Sequence, residues 1–179
     1  MSAIGLFERF QDIDITALTP LQRILLITDG TLTEILEAHF LERIELVKIS
    51  ERLLAAGQLP TPLPLDAGER VLERRINLRG AKSGTLRVYA ESLIFVERLD
   101  PSFQTELFET RIPLGRLWRS HRLETFKELV SIECRPARDI GAHLACAEDA
   151  PVMGRIYDVF SSRRPVMRIA EYFRVTPDG

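Results

Sequence analysis

The sequence of 179 residues predicts an α+β domain built on a six-stranded antiparallel sheet with helices. About six segments have the pattern of strands, and most neighbouring segments are joined by short turns, as antiparallel hairpins are. The helical patterns cluster near the N-terminus and in the middle of the chain. A parallel sheet would instead alternate strands with helices. These two observations favour one antiparallel sheet over a doubly wound fold.

Composition limits the classes of protein that the chain can represent. Hydrophobic residues make up 45% of the chain, which is enough for one domain with its own core. We expect residues 1–179 to form a single domain, of which residues 1–18 are an N-terminal extension. The net charge of -2 gives no drive toward nucleic acid. No apolar run reaches the roughly 20 residues that cross a bilayer, and no signal peptide is evident. We expect a cytoplasmic protein without a membrane span, either a monomer or a homodimer.

The N-terminal third predicts two helices and a strand. Thr19-Pro20 predicts a helix start, because Pro suits the first helical position and Thr can cap it. Asp29 is expected to cap a second helix over residues 31–40, and residues 44–49 predict the first strand. The apolar residues of the two helices recur at helical spacing: Leu21, Ile24, Leu25 and Ile27, then Leu32, Ile35, Leu36 and Phe40.

The next segments predict an extended connection and a hairpin. Residues 59–67 contain three prolines, which block regular structure. Residues 70–78 and 85–96 alternate as strands, and the turn GAKSG at 80–84 joins them.

The C-terminal half predicts two short helices and three strands. Asp100-Pro101-Ser102 opens a helix through about residue 109, and residues 112–115 predict a tight turn before a helix at about 116–120. The remaining segments are a strand at 126–134, an irregular or partly helical stretch at 138–149, and a last hairpin formed by 155–160 and 166–175.

Two charged residues fall on apolar strand faces. Arg74 shares its face with Leu72, Ile76 and Leu78, and a buried arginine is costly unless it meets an anion. Glu171 has the strand phase of the apolar Met167 and Ile169. Arg74 could bind a protein carboxylate or extend to water, and Glu171 could be its partner. An anionic ligand between the two residues would satisfy both in a different way.

Metal and anion sites have weaker signals. Cys134 and Cys146 lie twelve positions apart without a CxxC motif, so zinc is not expected. The helix start near residues 29–33 offers backbone N–H groups to an anion, but every helix has such a start.

A resemblance adds to these predictions. The segment PLGRLW at 113–118, followed by LETF at 123–126 and VSI at 130–132, resembles the chorismate lyase (chorismate pyruvate-lyase) family, and within it the bacterial and archaeal branch long known as a domain of unknown function. Matching pieces in the same order are LLITDGTLT at 25–33, RRINL at 74–78 and RPVMRIAEYF at 164–173.

The resemblance implies a six-stranded antiparallel sheet with two helical flaps over a buried ligand, one of them near residues 111–122. It implies that Arg74 binds a substrate carboxylate, that Thr31, Leu114 and Gly115 contribute contacts, and that Glu171 faces the ring oxygen that becomes the phenol. Whether Glu171 acts as acid or base stays open.

The resemblance also implies an activity, the conversion of chorismate to 4-hydroxybenzoate and pyruvate without a cofactor, as in ubiquinone or plastoquinone biosynthesis. One alternative is a non-catalytic sensor, because the fold also resembles the effector-binding half of a bacterial regulator family. Only about eighteen residues precede Thr19, too few for the DNA-binding domain of such regulators. Another is an enzyme for a related aromatic or cyclohexadienyl acid. Glu91 stands where family members often carry a basic residue, and would repel a dianion if it faced the pocket unless Arg75 or Arg87 neutralised it.

Overall fold

One antiparallel sheet organises the chain. The computed structural model describes residues 13–55, 65–66, 68–110 and 112–175. The strands are β1 (Ile44–Leu54), β2 (Val71–Gly80), β3 (Leu86–Phe95), β4 (Phe126–Pro136), β5 (Pro151–Ser161) and β6 (Arg164–Arg174). The helices are α1 (Pro20–Ile27), α2 (Leu32–Phe40), α3 (Pro101–Glu109), α4 (Leu114–Ser120) and α5 (Gly141–Leu144). The six strands lie in the order β1-β2-β3-β6-β5-β4, which confirms the predicted fold class.

The predicted N-terminal helices are present, but one predicted cap is wrong. Thr19 accepts a hydrogen bond from the Gln22 N–H, and Gln22 accepts one from the Thr19 N–H, so a capping box starts α1. Helix α2 begins at Leu32, which makes Thr31 rather than Asp29 its N-cap. The Thr31 side chain makes no capping bond.

The hairpins agree with prediction, with longer strands. Strand β1 continues to Leu54, past the predicted end at 49, because residues 50–54 pair with the first half of β2. These residues are mostly polar and exposed on a sheet edge, which hid the strand pattern. Ser162 and Arg163 form the tight turn of the last hairpin with positive φ, so Arg164 and Pro165 already belong to β6.

The middle helices lie close to their predicted positions. Asp100 caps α3 by accepting a hydrogen bond from the Ser102 N–H. The predicted turn at residues 112–115 is wrong in part, because α4 begins at Leu114 and includes Gly115. Pro113 supplies the extended residue before the helix, and its carbonyl accepts the Arg116 N–H. The predicted connection at 59–67 lies almost wholly outside the described residues, as does Arg111 at the start of the predicted flap.

Two hydrophobic clusters cover one face of the sheet and leave a gap between them. Cluster A joins α1 and α2 to the sheet through Leu25, Leu26, Leu32, Leu36, Leu78, Val88, Met153 and Phe173. Cluster B joins α3 and α4 to the sheet through Leu72, Ile94, Phe103, Leu107, Leu117, Val159, Met167 and Ile169. The strand residues between the clusters are less apolar, and they form the floor of the site described below. None of the helices in the described ranges combines the length and apolarity that a membrane crossing requires.

Candidate active site

Strand register places a row of polar side chains in the gap between the two clusters. Directly paired residues on adjacent strands point to the same face. Arg74 pairs with Ser92, Ser92 with Ile169, and Ile169 with Tyr157. The neighbouring row runs from Ile76 through Ala90 and Glu171 to Arg155. We call Arg74, Ser92, Glu171, Tyr157 and Arg155 the polar strip, and all five are buried.

Glu171 is the most tightly held member of the polar strip. Its Oε2 accepts a hydrogen bond from Arg155 Nε at 2.7 Å, and its Oε1 accepts one from the Tyr157 hydroxyl at 3.0 Å. Burial, and then the neighbouring carboxylate, raise the pKa of Tyr157 well above its usual value, so this phenol remains a donor. A carboxylate has about four lone-pair positions, so Glu171 can still accept another hydrogen bond.

Arg155 has one unused donor. Besides its bond to Glu171, its Nη1 donates to the Thr28 carbonyl at 2.9 Å, while Nη2 is buried without a hydrogen-bond partner among the described residues. Burial lowers the pKa of Arg155, but Glu171 and Tyr157 outweigh it, and the pKa lies above its ordinary value. Arg155 is therefore a fixed cation with a free N–H direction.

Arg74 lies on the predicted face and is only 1% exposed. Its Nε approaches Glu51 Oε1 at 3.0 Å, but none of its three nitrogens makes a hydrogen bond of good geometry within the described chain. Burial lowers its pKa, and Glu51 opposes that effect. The hypothesis that Glu171 is its protein partner is wrong. The two Cα atoms are two strands and two residues apart, about 12 Å by sheet geometry.

A cavity lies beside the polar strip, beneath the starts of α2 and α4. Its volume is about 60 Å³, room for a few water molecules. Four of the five predicted site residues line it, and Arg74 does not, although the paired Ser92 does. The lining residues are Gly30, Thr31, Leu32, Thr33, Ile76, Leu78, Ala90, Ser92, Leu114, Gly115, Trp118, Lys127, Tyr157, Ile169 and Glu171.

Gly115 brings the two helix starts together. A Cβ atom at this position would lie 2.7 Å from Thr31 Cγ2, closer than real Cβ contacts allow. Only glycine permits this approach of α4 to α2. This contact explains why Thr31, Leu114 and Gly115 line the same space.

Lys127 adds a cation from the edge strand β4. Its Nζ donates to the Gly30 carbonyl at 3.1 Å and lies 5.3 Å from the centre of the Tyr157 ring and 5.5 Å from that of Trp118. Burial lowers the pKa of Lys127, and Glu171 opposes that shift. Lys127 therefore links the floor of the cavity to the loop before α2 and to α4.

The comparison with known sequences decides the family. Residues 26–177 match the family described as chorismate pyruvate-lyase, Rv2949c-like. The chain belongs to this family. A chorismate pyruvate-lyase of Mycobacterium leprae (strain TN) is 37% identical over 156 residues, which cover 84% of this chain and 72% of the relative. One of Mycobacterium tuberculosis (strain H37Rv) is 33% identical over 162 residues, covering 84% and 78%.

Solved structures share the fold of this chorismate pyruvate-lyase family member. The effector domain of PhnF from Mycobacterium smegmatis superposes with a TM-score of 0.64 at 18% identity, covering 83% of this chain and 90% of that one. A second structure of PhnF from the same organism has the same TM-score and identity, and the match covers 83% of this chain and 65% of that one. At this identity the likeness concerns the fold alone.

The position of Glu91 removes one concern about the family resemblance. Glu91 pairs with Arg75 and Ala170 on the sheet face opposite to the polar strip. Its carboxylate accepts a hydrogen bond from the Tyr89 hydroxyl at 2.6 Å and lies 3.6 Å from Arg75 Nε. It therefore does not face the cavity, and Arg87 instead contacts Glu42.

Sequence reasoning missed four lining or neighbouring side chains: Arg155, Tyr157, Lys127 and Trp118. The sequence contains a signal for Arg155, because Arg155 shares its strand face with Tyr157 and Val159, much as Arg74 shares its face with apolar residues. Lys127 had none, since it enters from an edge strand whose residues are mostly partly exposed. Cys134 and Cys146 are free thiols, and the described residues contain no cluster of His, Cys, Asp and Glu that could hold a metal ion.

Proposed function

We propose that the protein cleaves chorismate to 4-hydroxybenzoate and pyruvate. Membership of the family and the names of the relatives support this activity. The observation that carries it is Glu171, a buried carboxylate with a free lone-pair direction that lines a small cavity and lies between Arg74 and Arg155 in strand order. A cavity lined by one carboxylate and one ammonium group, with buried guanidinium groups on the same face of the sheet, suits a ring that carries two carboxylates and a hydroxyl.

The reaction needs one proton acceptor and a stabilised leaving group. A base removes the proton from ring carbon C4, the electron pair forms the C3=C4 bond, and the bond from C3 to the enolpyruvyl oxygen breaks. The ring becomes aromatic and keeps its C4 hydroxyl as the phenol. The released enolate takes a proton on its methylene carbon and becomes pyruvate. No electron is gained or lost overall.

The side chains divide these tasks in our proposal. Glu171 accepts hydrogen bonds from Arg155 and Tyr157, and a carboxylate held in this way suits the role of general base or acceptor of the ring hydroxyl. Arg74 binds the ring carboxylate, because its buried nitrogens lack good hydrogen bonds in the described chain. Backbone groups of Thr31 and Leu114 complete the binding of the ring.

Entry of the substrate requires movement of α4 in this proposal. A cavity of about 60 Å³ is too small for a substituted six-membered ring. Helix α4 contributes Leu114, Gly115 and Trp118 to the lining, so displacement of this helix enlarges the site. Closure over the ring would exclude water, and product release after closure would limit turnover.

A second candidate is a non-catalytic domain that binds small aromatic acids. The likeness in fold to the effector domain of PhnF favours it. This candidate needs the arginines but has no use for a base, so it predicts that Glu171 affects only affinity.

Incubation of the purified protein with chorismate tests the proposal. We expect pyruvate and 4-hydroxybenzoate to appear in equal amounts, and Glu171→Gln to lower kcat about 100-fold or more, because it removes the base. Arg163→Gln, in the turn between β5 and β6, is the matched control for loss of one surface charge. Binding of 4-hydroxybenzoate by a protein that yields neither product would favour the sensor instead.

A further inference from the structure

Cationic side chains lie at both ends of the polar strip. Arg74 stands on β2, whereas Arg155 stands on β5 and Lys127 on the neighbouring β4. Arg155 lies three strands and two residues away from Arg74, so their Cα atoms are about 16 Å apart by sheet geometry. Once α4 is displaced, as proposed above, one ligand with an anionic group at each end could meet cations at both ends.

The Arg155–Lys127 end has donors that the protein does not use. Arg155 is 2% exposed, and its Nη2 has no hydrogen-bond partner in the described part of the chain. The Lys127 ammonium has three N–H groups, and the one hydrogen bond formed with the described residues goes to the Gly30 carbonyl. A buried guanidinium nitrogen without a partner is costly, and a ligand carboxylate would satisfy it.

Among the residues that the structure describes, one buried carboxylate contacts the cations at this end. Glu171 is the buried carboxylate that contacts Arg155, and it also influences Lys127. Asp29 acts on both cations, but it is exposed and forms no ion pair with either, so water screens its charge. Two cations therefore share one buried anion, which leaves an excess of positive charge beside the cavity.

We propose that Lys127 and Arg155 Nη2 form a second carboxylate subsite, which binds the carboxylate of the enolpyruvyl group while Arg74 binds that of the ring. The identity of this ligand rests on the proposed function. The enolpyruvyl group gains negative charge as its bond to the ring breaks. Cations fixed at the leaving group stabilise that charge in the transition state more than in the bound substrate.

Two probes separate the subsites without any turnover. The dianion 3-(1-carboxyvinyloxy)-4-hydroxybenzoate has both carboxylates on a ring that is already aromatic, and 4-hydroxybenzoate has only the ring carboxylate. Calorimetric titration of both probes compares the wild type with Lys127→Gln, which keeps a donor for the Gly30 carbonyl but has no charge. Lys82→Gln, in the exposed turn between β2 and β3, is the matched control for loss of one lysine.

We expect Lys127→Gln to weaken the dianion about 10- to 100-fold and to change the affinity for 4-hydroxybenzoate by less than about twofold. Arg74→Gln should weaken both probes by a similar factor, Lys127→Arg should keep most of the preference for the dianion, and Lys82→Gln should change neither. Thermal melting of each variant shows whether it is folded, and Lys127→Met, which also removes the charge and should lose the same preference, is the measured variant if Lys127→Gln is not.

Equal effects of Lys127→Gln on the two probes, or no effect on either, would overturn the second subsite, as would a wild type that binds the two equally. These outcomes are independent of the proposed function. A wild type that prefers the dianion through Lys127 but yields no pyruvate from chorismate would refute the lyase activity and keep the subsite. Turnover of chorismate by a wild type whose preference for the dianion does not depend on Lys127 would support the lyase activity and refute the subsite.

Discussion

The ion pair between Arg155 and Glu171 allows a quantitative test of the site. Arg155 Nε lies 2.7 Å from Glu171 Oε2, and the side chains of Arg155 and Glu171 are 3% and 10% exposed. Arg155→Met keeps an unbranched stem of similar length and removes the guanidinium. It leaves the Glu171 carboxylate buried with Tyr157 as its remaining donor, and it also removes the bond to the Thr28 carbonyl.

The expected loss is large because one charge remains buried without its partner. Removing one member of a buried ion pair costs about 3–5 kcal/mol of the free energy of unfolding, which corresponds to a drop in Tm of about 10 °C for a domain of this size. The double variant Arg155→Met with Glu171→Gln buries no charge at this position. We expect it to be about 2 kcal/mol more stable than Arg155→Met alone.

Urea unfolding of the wild type, both single variants and the double variant completes a double-mutant cycle. The far-ultraviolet circular dichroism reports the sheet, and fluorescence of the single tryptophan, Trp118, reports the cavity that it lines. A loss below about 1 kcal/mol for Arg155→Met, or strictly additive effects in the double variant, would refute a buried and coupled pair.

Three further outcomes follow from other contacts. Arg74→Ala should raise the KM for chorismate about 10-fold or more with a smaller effect on kcat, measured by initial rates of pyruvate release, and an unchanged KM would contradict carboxylate binding there. Gly115→Ala should weaken binding of 4-hydroxybenzoate in calorimetry, because its Cβ meets Thr31 Cγ2, and adding Thr31→Ser should restore affinity. Arg98 lowers the pKa of Glu69 from 4.5 to about 2, so this carboxylate contributes stability above about pH 4.5 that is lost as the pH falls toward about 2. Glu69→Gln should therefore lower the free energy of unfolding at pH 7, and this free energy should fall less steeply between about pH 4.5 and 2 than in the wild type, as measured by urea titrations. An unchanged pH dependence in that range would contradict this role of Glu69.

Local rules predicted most of the fold. Thr19-Pro20 and Asp100-Pro101 start helices where predicted, since both caps depend only on neighbouring residues. Alternation predicted the hairpin of β2 and β3, because each strand has one apolar face. The end of β1 could not be predicted in this way, because β1 is an edge strand and the side chains near its end are mostly polar and exposed.

The site was only partly predictable, because its members come from distant strands. Arg74 and Glu171 stood out as charges on apolar faces, and both are buried. Their actual partners, Glu51 and Arg155, depend on the strand order, which places β6 between β3 and β5. The sequence gives no measure of that order. The start of α4 at Leu114 could not be predicted for a related reason. Glycine is unfavourable inside a helix, and the close approach of α2 that requires it at position 115 is visible only in the structure.

The two sides of the cavity differ in how firmly they are held. Helix α4 has seven residues, too few to be stable alone in water, so its contacts with the rest of the fold hold it in place. Leu117 is fully buried in cluster B, and Arg116 and Arg119 form ion pairs with Glu37 and Glu34 of α2. These ion pairs are partly exposed, and each contributes about 0–1 kcal/mol. The floor, by contrast, stands on β5 and β6, which are paired on both sides. A ligand that displaces α4 therefore breaks the weaker contacts and leaves the charged groups of the floor in position, so substitutions in α4 should alter entry and release while substitutions in the polar strip alter affinity and chemistry.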